Sequence, residues 1–115
     1  MADVAQIDRE LSVAKAAWEQ GLEGKARVCA RRAVALADRA WLVAAGHSLW
    51  QGDAMAHLRR IQQQEGFPLP VRQAAERLTT SVTRRHDTPF TCDPVSDAGL
   101  IIAHLTGDPP SGLPF

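Results

Sequence analysis

Apolar positions recur along this chain at alternating steps of three and four, the spacing that puts them on one face of an α-helix. Val4, Ile7, Leu11, Ala14 and Trp18 follow that rule, so a first helix is expected after Asp3, with Asp3 as its N-cap. Gly21 interrupts the pattern and Gly24 lies in a short connection of the kind that joins antiparallel helical neighbours. From Gly24 to Ala45 the pattern is denser. Ala26, Ala33 and Ala40 share one position of a seven-residue repeat, Ala30, Ala37 and Ala44 the adjacent one, and Cys29, Leu36 and Val43 a third. This wide stripe of small side chains lets a partner helix approach near the short end of the usual 8–10 Å range. Val28, Val34, Trp41 and Leu42 make the opposite flank apolar as well, which leaves Lys25, Arg31, Arg32, Asp38 and Arg39 as a narrow polar strip. A helix apolar around most of its circumference belongs in the middle of a bundle.

Asp53 reads as the N-cap of a third helix reaching about Gln64, with Met55, Leu58 and Ile61 turned inward. Gly66, Pro68 and Pro70 break it, and Pro70 suits the first turn of a fourth helix over about 70–83 that carries Val71, Ala74, Ala75, Leu78 and Val82. The stretch from Arg84 to Pro94 reads as a loop. A last helix over about 95–106 carries Val95, Ala98, Leu100, Ile101, Ile102 and Leu105 and stops at Gly107. Period-two alternation of useful length is missing. The expectation is an all-α, up-and-down bundle of four to five helices, one domain over 1–107 followed by an extended or disordered tail over 108–115.

Composition narrows the class without naming an activity. With 45% hydrophobic and 23% charged residues the chain has ordinary globular proportions. Its longest apolar run, Ala40 to Gly46, falls far short of the roughly 20 residues that span a bilayer. The acidic opening Met1-Ala2-Asp3 is unlike a secretory leader, so a cytoplasmic protein away from membranes is expected. Cys29 and Cys92 lack the short paired spacings of zinc sites; Cys29, on an apolar helix face, should be a buried small hydrophobe.

Net charge is zero but unevenly spread. Lys25, Arg27, Arg31, Arg32 and Arg39 face only Asp38 within 25–39, and residues 59–86 repeat the basic excess. Either these segments pair with the acidic ends across the surface, or they form a basic surface for an anionic ligand. Eleven arginines against two lysines suit bidentate phosphate contacts.

No catalytic constellation stands out. His47 sits just past the helix that ends near Gly46, where a cation is favoured. His57 and His104 lie beside core positions and read as packing residues, while His86 stands in the charged stretch Arg84-Arg85-His86-Asp87. No two histidines lie one helical turn apart, and no metal ligand set or cofactor is expected. Asp93 and Asp97 are placed as helix-start residues rather than an acid and base pair. The tryptophans Trp18, Trp41 and Trp50 suit core or interface positions.

The segment Ala26 to Val43, ARVCARRAVALADRAWLV, resembles the alanine-rich second helix of HEPN domains. Arg77 to Ile102 is similar to their second half, with a helix, a loop bearing Arg and Asp, and Asp97-Ala98 opening an apolar final helix. The resemblance implies a bundle that commonly forms homodimers, nucleotide or RNA binding, metal-independent ribonuclease activity in toxin–antitoxin-like pairs, and partnership with minimal nucleotidyltransferases. Ribonucleases of that family carry an Arg followed, after four to six residues, by a His. Here Thr79, Thr80 and Ser81 occupy the positions ahead of His86, and no other histidine has an Arg at that distance. A guanidinium to stabilise phosphorane charge is therefore missing. The reading that follows is a non-catalytic HEPN-like dimer, joined through its small-residue or tryptophan-bearing surface, that binds a partner protein or an anionic ligand through Arg31, Arg32, Arg84 and Arg85 with His86 beside them. A ribonuclease and a purely structural adaptor are the alternatives.

Overall fold

The structure, a computed structural model, describes residues 4–79 and 93–107. Among them five helices occur and no strand: α1 (Val4–Glu19), α2 (Glu23–Ala44), α3 (Ala54–Gln63), α4 (Leu69–Thr79) and α5 (Pro94–Thr106). Most breaks fall where the sequence places them, although Gly24, expected in the first connection, lies in the first turn of α2. Gly21 and Gly46 adopt φ of +78° and +89° after α1 and α2, a left-handed geometry in which a side chain is strained, and Gly107 ends α5 the same way. Asp53 caps α3 by accepting from the Ala56 amide at 2.8 Å, and Asp93 caps α5 by accepting from Val95 and Ser96. The proposed Asp3 cap, Val82 and the tail over 108–115 lie outside the described residues.

Helix α2 is the axis: α1, α3 and α5 all pack on it, while α4 closes the bundle against α3 and α5. Its alanine row explains the arrangement. Ala26, Ala30, Ala33 and Ala37 are covered by the chain's own helices, so that part of the stripe is spent on internal close packing, whereas Val43 and Ala44 at its C-terminal end are exposed. Leu58, Ile61, Leu78 and Ile101 are the large side chains at the centre, each contributing about 1.5–3 kcal/mol by removal from water. Cys29 is buried in the same core, as its place on the helix face predicts. Val4 and Val43, placed on apolar faces by periodicity, are instead exposed: they lie near the ends of α1 and α2.

Arginines from α2 reach across to the end of α4. Arg31 Nε donates to the Leu78 carbonyl at 2.7 Å and Arg27 Nη1 to the Arg77 carbonyl at 3.3 Å, filling backbone acceptors that a helix C-terminus leaves open. Burial first, and the nearby Arg27 charge second, push the Arg31 guanidinium below its ordinary value. Arg77 in turn forks onto Asp97 Oδ1 at 2.8 and 3.0 Å, tying α4 to the first turn of α5.

Candidate functional site

A charged residue stands where the apolar row of α2 should continue. Val34, Asp38 and Leu42 follow one another at steps of four, and all three are buried, Asp38 completely. The sequence places Asp38 on the solvated strip; the structure corrects this, because at Asp38 that side of α2 is covered by α3. A buried carboxylate requires partners, and α3 supplies them from residues three apart on one face. His57 Nδ1 lies 2.7 Å from Asp38 Oδ2. Arg60 Nε donates to the same oxygen at 3.1 Å, and Arg60 Nη2 donates to Oδ1. Both carboxylate oxygens are thereby satisfied.

An aromatic shell surrounds this hub. The Arg60 guanidinium lies 5.0 Å from the centre of the Trp41 ring and 5.9 Å from that of Phe67, within reach of cation–π attraction. Trp41 and Phe67 meet edge to face at 5.1 Å, and His104, exposed on α5, meets Phe67 at 4.8 Å. On the other side Trp50 packs against the His57 ring at 4.6 Å.

Beyond His57 the chain opens. A cavity of about 480 Å³ lies between the end of α2 and the loop that leads to α3, lined by Arg39, His47, Ser48, Trp50, Gly52 and His57 among others. That size is within the range of small-molecule sites. Among the described residues its lining includes an arginine and two histidines and no carboxylate. The ring of Trp50 forms its wall by lying over Gly52. A Cβ at that position would stand 2.7 Å from Trp50 Cη2 and 2.8 Å from the Ala56 Cβ. Gly52→Ala is therefore expected to push the indole away from His57 and shift the α3 start, costing about 1–3 kcal/mol, read as a lowered urea midpoint with a changed near-UV circular dichroism signal. An unaltered midpoint and spectrum would contradict the packing described.

A second, shallower cavity of about 250 Å³ shares Arg39, Gly52 and His57 and adds Arg32, Glu10 and Asp53. Its mixed charge distinguishes it from the first.

The five residues proposed from sequence do not form one described surface. Arg31 is engaged with the end of α4. Arg32 is exposed and lines the shallower cavity. Arg84, Arg85 and His86 lie outside the described residues. His57, read as a packing residue, is indeed buried and hydrogen-bonded, but it also borders both cavities. A signal for it existed: an acidic residue set one turn from apolar neighbours on each side, followed by a His and an Arg three apart on the next helix.

Among the described residues no three metal-ligating side chains gather, and no helix is long and apolar enough to cross a membrane. Comparison with protein-family models, curated proteins and solved structures yields no match to this chain. What the fold and site define is an all-α bundle with a buried Asp-His-Arg hub beneath an open basic cavity.

Proposed function

We propose that the chain is a non-catalytic helical binding module that takes an anionic ligand in the cavity at the end of α2. One observation carries this reading: Arg39 and His47 border a cavity with no carboxylate among its described lining residues. Opposite charge in a recessed site strengthens attraction by lowering the local dielectric and focusing the field. The hub below gives the cavity a fixed floor, since His57 is held by Asp38, and Asp38 by Arg60. The alanine row of α2 and the Asp97-Ala98 start of α5 support placing the module in a HEPN-like frame, in which a nucleotide, RNA or an acidic segment of a partner protein would supply the anion.

Calorimetric titration with inorganic phosphate and with mononucleotides tests the reading. Arg39→Ala is expected to weaken binding roughly tenfold or more, the scale of one charge-assisted hydrogen bond, and affinity should fall as salt screens the exposed arginine. Arg31→Ala should leave affinity unaltered, because its guanidinium serves α4. Equal affinity of wild type and Arg39→Ala would defeat the assignment.

A further inference from the structure

His57 brings to the cavity a chemistry other than positive charge. Asp38 is neutralised by Arg60 in the same hub, so its carboxylate remains an acceptor and fixes the proton of His57 on Nδ1. In the neutral ring the other nitrogen, Nε2, is then an acceptor. Nε2 has no hydrogen-bond partner among the described residues, and His57 borders the cavity. Trp50, tilted against the ring at 4.6 Å, and the carboxylate at Nδ1 leave the imidazole little freedom to turn over.

We propose that this cavity selects an anion that also carries a hydroxyl, a polyol phosphate or a hydroxy acid, with the anionic group on Arg39 and His47 and the hydroxyl donating to His57 Nε2. The proposal rests on the cavity being the anion site. A ligand with only an anionic group leaves Nε2 unmet or bound to water, whereas a hydroxyl placed beside the anion completes it. Sites built to receive a particular donor discriminate against analogues that lack it. His57 is here a specificity residue, and Asp38 a positioning residue that acts through it.

The test compares matched pairs on the intact chain: glycerol 3-phosphate against propyl phosphate, and lactate against propionate. Within at least one pair the hydroxylated member should bind five- to tenfold more tightly, and the pair that shows it tells phosphate from carboxylate. The ratio should fall to about one in His57→Phe, which keeps a ring of similar shape. Nitrogen-15 correlation spectra of the wild-type chain provide a second measurement that no variant's folding can spoil: Nδ1 should be protonated and Nε2 bare. Binding of both members with equal affinity, or a proton found on Nε2, overturns the proposal while leaving the anion site standing. Failure of inorganic phosphate and of all four organic anions to bind removes the anion site and this proposal with it.

Discussion

Asp38→Ala is expected to destabilise the chain by about 3–5 kcal/mol, the range found when one member of a buried ion pair is removed. The loss is not the strength of one contact. It is the cost of leaving His57 confined beside Trp50 with no acceptor, and the Arg60 charge confined beside Trp41 and Phe67 with only the Gln64 side chain to accept from it. Against a total stability of roughly 5–15 kcal/mol this is a large fraction, and for a domain near 100 residues it lowers Tm by some 4–8 °C per kcal/mol. Arg39→Ala, one position along the same helix but exposed, supplies the control and should fall within about 0.5 kcal/mol of wild type. Chemical denaturation of both variants decides the matter. If Asp38→Ala unfolds at the same urea concentration as Arg39→Ala, the carboxylate is not the hub described.

The second large effect belongs to the apolar core. Leu58 on α3 is fully buried next to His57, and Leu58→Ala should cost about 2–5 kcal/mol, lost transfer energy plus the cavity left behind. Leu49→Ala removes the same atoms from a side chain that is 92% exposed, and it should change stability by no more than about 0.5 kcal/mol. The contrast isolates burial from residue type. Comparable losses for the two leucines would mean that α3 does not pack as described.

Helix positions were legible in the sequence because each is set by local physics. Asp53 and Asp93 cap, glycines take left-handed turns, and the steps of three and four mark the buried faces. The hub was not legible as a site, for a definable reason. Hydrophobic periodicity assigns a charged residue to water by default, and only the tertiary arrangement shows that Asp38 meets His57 and Arg60 across two helices. Counting basic residues misled in the complementary way. Arg27 and Arg31 contribute to the positive stretch in sequence, yet both donate to carbonyls at the end of α4. The cavity escaped notice because its wall depends on one indole lying over one glycine, a contact with no periodic signature.

The spacing of the hub along the chain bears on how the bundle assembles. At ten residues α3 is shorter than the roughly 12–15 at which an isolated helix persists in water, so it needs its neighbours α2 and α4 to support it. The contacts that join them span only 19 and 22 residues. Closing a loop of that length costs about 1 kcal/mol less entropy than bringing together chain ends four times farther apart, as α1 and α5 require. Hydrogen bonds between α3 and α4 span 10 and 17 residues, shorter still, so the ion cluster that floors the cavity is one of several short-range latches on which the long-range packing of α1 against α5 can build.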